Sequence, residues 1–171
     1  MSGSRFTAEE LAAWHGFLRT HARVTRRLDA ALSASHSLPL THFDVLIQLS
    51  LAGGLLRMSE LADRLLVSRS GLTRIIDQLE AQDLVVRERD AGDARGLNAS
   101  LTPAGRARLS DAAGAHTVNV REAFLGALTS AEQASLAAGW RAIAERLDAT
   151  EPPPARVAAA QALRRRQRRV A

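Results

Sequence analysis

The strongest constraint on the fold is the segment from Leu55 to Thr102, which contains two short helical patterns, a tight turn between them and a hairpin pattern after them. Ser59 and Ser68 stand before the two helical patterns, where a hydroxyl can accept a backbone N–H. Four apolar side chains of the second pattern share one helix face: Leu72, Ile75, Ile76 and Leu79. This order predicts a helix-turn-helix followed by a wing, an arrangement that places one helix in a DNA groove.

The opposite face of the second helix is polar. At about 100° per residue, it presents four side chains: Ser70, Thr73, Arg74 and Asp77. Small hydroxyls can donate to phosphates or base edges, and arginine can pair bidentately with guanine. The alternative is an ordinary solvated helix face, which the preceding helix and the following hairpin disfavour.

The hairpin is predicted from two β-prone stretches, Leu84–Val86 and Leu97–Leu101. Between them stand residues typical of turns: Gly92, Asp93, Gly96 and Asn98. We expect Arg87, Arg89 and Arg95 on or near the tip, where long cations can enter a minor groove or bind phosphate.

The segment Asp93-Ala94-Arg95, followed by Leu101-Thr102-Pro103-Ala104-Gly105, is similar to the wing signature of the MarR family of bacterial transcription regulators. The resemblance extends over the order of elements from about residue 7 to residue 147. It implies that Arg95 reaches the minor groove with Asp93 as its orienting partner, and that Ser70, Thr73 and Arg74 meet the major groove. The residues assigned to DNA are Ser68, Arg69, Ser70, Thr73, Arg74, Arg87, Arg89, Asp93 and Arg95.

The expected fold class is mainly α with a small β-wing, in a single domain over residues 1–150. Its DNA-binding module covers about residues 55–102, and its dimerisation helices cover about residues 7–35 and 103–148. Four capping patterns mark helix starts: Thr7 with Glu10, Thr41 with Asp44, Thr102 with Pro103, and Thr129 with Glu132. Gly53 and Gly54 end the second helix, and residues 151–171 form an arginine-rich tail hinged by three prolines.

The terminal helices are rich in alanine and leucine, which suits close helix packing. In the resembling family these helices form the dimer, so the resemblance implies a homodimer on double-stranded DNA with a pseudo-palindromic operator. A monomer whose helices complete its own core is the alternative.

The resemblance also implies a small aromatic-acid or phenolic effector, bound between the dimer helices and the winged lobe. Trp14 could stack on its ring and Arg19 could pair with its carboxylate, with His15 and His42 lining the same crevice. The alternative for Trp14 is a core residue, because it lies at helical spacing with Leu11 and Leu18.

Charge and composition narrow the function further. All 23 basic residues are arginine, and six of them follow Pro152; the 17 that precede Pro152 stand against 18 acids, a net charge of −1. The body is therefore nearly neutral, and only the placement of its arginines favours DNA. The alternative function is a helical module that binds protein or RNA through the arginine tail.

Several classes are disfavoured. The chain has no cysteine, which excludes a thiol redox switch and a thiolate metal site. We expect no metal, no cofactor and no enzymatic activity, because metal-ligand and catalytic motifs are absent from the sequence. The absence of an apolar leader or an 18-residue apolar run predicts a cytoplasmic protein without a membrane partner.

Overall fold

The computed structural model describes residues 5–90 and 93–150, without the side chains of Ala94 and Arg95. The tail, and with it the expectation for residues 151–171, lies outside the described residues. The elements are α1 (Ala8–His36), α2 (Leu40–Leu51), β1 (Leu55–Arg57), α3 (Met58–Leu65), α4 (Arg69–Glu80), β2 (Val85–Asp90), β3 (Asp93–Leu101), α5 (Pro103–Ala123), a 3₁₀ turn (Leu125–Ala127) and α6 (Ser130–Thr150). The mainly helical fold with a small sheet is confirmed.

Three of the predicted helix starts are confirmed by their hydrogen bonds. The Thr7 hydroxyl accepts from Glu10 N–H at 3.1 Å while the Glu10 carboxylate accepts from Thr7 N–H at 2.8 Å. Thr129 and Glu132 form the same reciprocal pair. The Thr102 hydroxyl accepts from Gly105 N–H at 2.9 Å, with Pro103 at the first helical position of α5.

Two predicted caps are wrong. Pro39, not Thr41, precedes α2, and the N–H of Leu40 donates to the Asp29 carboxylate of α1 at 2.8 Å. A residue from a distant part of the sequence therefore replaces the local cap. Ser59 lies inside α3, whose N-cap is Arg57 without a side-chain hydrogen bond, because β1 runs directly into that helix.

The sheet has three antiparallel strands in the order β1-β3-β2, rather than the two of the predicted hairpin. In β1, Leu56 pairs with Ala99, and both are buried. Gly53 and Gly54 end α2 as expected, with φ values of 87° and 100° that suit residues without a Cβ. They turn the chain directly into this third strand.

One core joins the sheet to the helices around it. It is built from the C-terminal third of α1, from α2, α3, α4 and the sheet, and from the N-terminal half of α5. In α1 only Leu28 and Leu32 are buried, and α6 has no buried residue. The first half of α1 and the whole of α6 therefore extend away from the packed lobe.

The base of the wing meets α5 at Gly105. A Cβ at this position would overlap the carbonyl oxygen of Leu84 and approach Leu101 Cδ1 to 2.8 Å. Thr102 strengthens the same junction, because its N–H donates to Leu84 O at 3.2 Å and its hydroxyl donates to Asp83 O at 2.7 Å. Only glycine allows the first turn of α5 to lie this close to the end of the hairpin.

Helices α2 and α5 pack against each other where the ring centroids of Phe43 and His116 are 4.4 Å apart. Burial lowers the pKa of His116, and the neighbouring Asp44 carboxylate opposes this effect. Burial also raises the pKa of Asp44 above its ordinary value. This packing therefore favours the neutral form of each side chain.

We expect Gly105→Ala to destabilise the fold by at least about 1–3 kcal/mol, because the added methyl group meets backbone rather than a movable side chain. Urea unfolding measures this change. Gly114→Ala in α5 is the matched control, because nothing lies within 4 Å of a Cβ added at this position. The control should keep or raise stability, since alanine is favoured over glycine in a helix by about 1 kcal/mol. Equal effects of the two substitutions would contradict the close packing at Gly105.

We expect the free energy of unfolding to fall between about pH 7.5 and about pH 5.5, because His116 takes up a proton more readily in the unfolded chain. The group has a lowered folded pKa, so its contribution is present above the unfolded pKa and is lost as the pH falls. His116→Gln should flatten this part of the pH profile in urea unfolding. An unchanged slope in the variant would show that His116 is not responsible.

Candidate nucleic-acid interface

The turn between α3 and α4 sets the angle of the two helices. Leu66 takes a left-handed conformation with φ of 54°, and its N–H donates back to Ala62 and Asp63 carbonyls. Helix α3 therefore ends at Leu65. Ser68 then caps α4 as predicted, because its hydroxyl accepts from Gly71 N–H at 3.1 Å.

Helix α4 has the two faces that the sequence predicts. Leu72, Ile76 and Leu79 are fully buried and Ile75 is half-buried. The other face is exposed and carries Ser68, Arg69, Ser70, Thr73, Arg74 and Asp77. The Thr73 hydroxyl donates to Arg69 O at 2.9 Å, which leaves its oxygen facing outward as an acceptor.

Arg87 is not at the tip of the wing, which corrects the sequence prediction. It pairs with Ala99 in the sheet, and its side chain is 22% exposed. The guanidinium binds Asp77 at 2.6 Å, the Thr73 carbonyl at 3.0 Å and the Glu80 carboxylate. Because these partners all lie on α4, Arg87 fastens the wing to α4 rather than reaching DNA from the tip.

Asp90 and Asp93 pair across β2 and β3. Arg89, next to Asp90, is exposed, whereas the Arg95 side chain lies outside the described residues. Asp93 accepts a hydrogen bond from Arg57 at 3.3 Å, and Asp90 accepts one from the same guanidinium at 3.0 Å. The pairing of Asp93 with Arg95 stays a prediction. Arg57 was missed from sequence because β1 was missed.

The arginines of this surface fall into two groups, those in salt bridges and those without. Arg57, Arg64 and Arg87 are in salt bridges with acids of the same module. Within the described part of the chain, Arg69, Arg74 and Arg89 form no salt bridge and are exposed. A module with nearly balanced charge therefore still presents positively charged groups on α4 and the wing.

The structure does not bring His42 together with the three other residues predicted to line an effector crevice. Trp14, His15 and Arg19 are exposed on α1. Leu40, two residues before His42, contacts Asp29, and the 15 residues from Trp14 to Asp29 correspond to about 22 Å of helix. Trp14 is not a core residue of the chain either, because it is 49% exposed.

His42 is a buried joint between α2 and α4. Its Nε2 lies 3.0 Å from Gln78 Oε1, at the base of an open cleft of about 510 Å³. The cleft is lined by Ser37, Pro39, Thr41, His42, Gln78, Ala81 and Gln82. His42 thus contacts α4 at Gln78, an exposed residue that lies one helical turn after Arg74.

Two further findings apply to the described residues alone. They contain no helix that is long and apolar enough to cross a membrane. No three or more histidine, aspartate or glutamate side chains among them are grouped so that they could hold a metal ion.

The arrangement of α3, α4 and the three-stranded sheet defines a winged helix-turn-helix protein. The sequence model of the MarR family matches residues 36–96. The HTH-type transcriptional regulator YkoM of Bacillus subtilis, itself uncharacterised, is 31% identical over 124 residues, which cover 71% of this chain and 80% of that protein.

Two solved structures from Streptomyces coelicolor have the same fold. AbsC, a MarR family transcriptional regulator, is 31% identical with a TM-score of 0.78, over 86% of this chain and 99% of that one. Sco3205, a MarR family regulator solved in complex with DNA, is 32% identical with a TM-score of 0.78, over 86% and 93% of the two chains. The chain belongs to the MarR family. It is a DNA-binding transcription regulator, and the alternative of a protein- or RNA-binding module is not supported.

Proposed function

We propose that the chain acts as a homodimeric repressor, in which each protomer inserts α4 into the major groove of one half of a pseudo-palindromic operator. The observation that carries this proposal is the exposed polar face of α4, held outward by the buried Leu72, Ile76 and Leu79. A dimer bound over a promoter would exclude polymerase. Such a regulator acts in the cytoplasm with the chromosome and catalyses no reaction.

Each DNA-binding residue has a proposed role. Arg74 reads a base, because it projects from the middle of α4 without a salt bridge in the described structure. Arg69 binds phosphate near the N-terminus of α4, where backbone N–H groups also favour an anion. Ser70 and Thr73 supply further hydrogen bonds, and Ser68 contributes by holding the helix start. Arg89 and Arg95 contact the minor groove or phosphate from the wing.

The proposed dimer interface is the apolar surface of α1, α5 and α6. Phe17 and Trp140 bring α1 and α6 together, with ring centroids 5.3 Å apart. Large exposed apolar side chains lie on these helices, with Phe6 just before α1: Leu11, Trp14, Leu18, Val118, Ile143 and Leu147. A cluster of exposed apolar side chains of this kind marks an interaction site. In a dimer the second winged helix would read a second half-site. Since half-sites lie about one DNA turn apart, the two α4 helices would be about 34 Å apart.

The small aromatic-acid or phenolic effector stays a prediction from the family resemblance. Trp14, His15 and Arg19 lie on the surface proposed for the dimer, so an effector there would contact both protomers. His42 would then lie outside this effector site, where it is hydrogen-bonded to Gln78.

The proposed function is tested by selecting bound duplexes from a random pool. We expect an enriched pseudo-palindrome whose half-sites are centred about one DNA turn apart. Enrichment of a single unpaired half-site would contradict the dimeric arrangement, and the absence of any enriched sequence would contradict operator recognition.

We expect Arg74→Ala to reduce the preference for the selected operator over scrambled DNA by about 1–3 kcal/mol, because a bidentate contact to guanine is lost. Parallel titrations of the two duplexes measure this change. Arg27→Ala, an exposed arginine on α1, is the control and should bind both duplexes as the parent does. An equal loss for both duplexes would assign Arg74 to phosphate rather than to a base.

Ile143→Glu should convert the dimer to a monomer, because it places a charge on the apolar stripe of α6. Sedimentation equilibrium measures the mass, and circular dichroism checks that helix content is kept. Ala138→Glu is the matched control, since this exposed residue is five positions away and about 140° around the helix. Dimeric Ile143→Glu protein would place the interface elsewhere.

A further inference from the structure

We infer that Arg57 is a positioning residue for the wing: it holds Asp90 of β2 and Asp93 of β3 in place, and it lowers the negative charge that the wing brings toward DNA. This inference rests on the proposed operator binding. It assigns to Arg57 an effect on DNA affinity that works through the two carboxylates, without a contact between Arg57 and DNA.

The backbone of Arg57 is fixed at both sides. It is the last residue of β1, where it pairs with Asn98, and it is also the N-cap of α3. Its side chain is only 38% exposed. The guanidinium is therefore anchored to the sheet and to the helix-turn-helix before it reaches the wing.

The wing beyond Arg57 has little other support from the sheet. The three residues of β1 pair with residues 98–100 only, so the outer part of β3 has β2 as its one strand neighbour. A two-stranded ribbon of this kind is marginally stable in water. Arg57 extends the support past the end of β1, because its Nε and Nη2 lie 3.0 Å from Asp90 Oδ2 and its Nη1 lies 3.3 Å from Asp93 Oδ2.

The same contacts matter for charge. Residues 88–95 carry three acids and two arginines, a net charge of −1 that Arg57 brings to zero. Acids that approach phosphates within about 10 Å at 0.1 M salt are repelled. Without Arg57, the wing would bring this excess negative charge to the DNA backbone.

The test is a double-mutant cycle on the selected operator. Arg57→Met, which keeps the aliphatic stem, should weaken binding about tenfold, a size expected for coupled charged groups. Asp90→Asn, introduced into Arg57→Met, should recover the part of this loss that comes from the negative charge of the wing. In the parent protein Asp90→Asn should change the affinity by less than about threefold, because the amide oxygen can still accept a hydrogen bond from Arg57.

Arg64→Met is the matched control, because Arg64 binds Glu60 at 2.7 Å within α3 and does not reach the wing. It should bind the operator as the parent does. Parental affinity of Arg57→Met would overturn the inference. So would a loss in Arg57→Met that Asp90→Asn leaves unchanged, since that result indicates a direct phosphate contact. If Arg57→Met lowers the thermal midpoint, Arg57→Gln replaces it in the same cycle.

Failure of the proposed function is recognised separately. If the parent protein selects no operator, the proposed function fails before the cycle begins. If the parent binds and Arg74→Ala loses base preference while Arg57→Met binds normally, only the inference about Arg57 is wrong.

Discussion

The position of the wing depends on the close approach of α5 to the end of the hairpin at Gly105. The Leu84 carbonyl lies where a side chain at this position would be, and Thr102 links both Asp83 and Leu84 to the start of α5. The wing therefore cannot tilt without moving α5, which continues toward the proposed dimer surface. The Leu-Thr-Pro-Ala-Gly segment consequently has a physical reason: Leu101 is a buried strand end, Thr102 is a cap, and Gly105 allows the contact.

Pairing explains how a nearly neutral body can bind DNA. The acids of the module are used largely to hold arginines in place: Asp77 and Glu80 bind Arg87, while Asp90 and Asp93 bind Arg57. These bridges fix the wing at two points, one against α4 and one where Asp90 pairs with Asp93. The other charges of the module largely neutralise one another. The positions of the exposed arginines on α4 and the wing, rather than the total charge, therefore determine the attraction to phosphate.

Local patterns predicted the elements that local physics determines. The apolar stripe of α4 and the caps at Thr7, Ser68 and Thr129 follow from spacing and hydrogen-bonding groups within four residues. The failures involve partners that are distant in sequence. Asp29 replaces the cap expected at Thr41, and β1 is a three-residue strand that exists only because β3 pairs with it. Arg87 appeared to be a tip residue because the acids that bind it lie on another element.

Helix α4 is also held at Gln78, one helical turn after Arg74. His42 at the start of α2 contacts Gln78 on α4, and the preceding chain is fixed by Asp29 and by the hydrogen bond from Arg108 to the His36 carbonyl. These contacts connect α4 with the C-terminal end of α1 and with α5. Helix α1 therefore joins the proposed dimer surface, on its first half, to the junction that supports α4, at its C-terminal end.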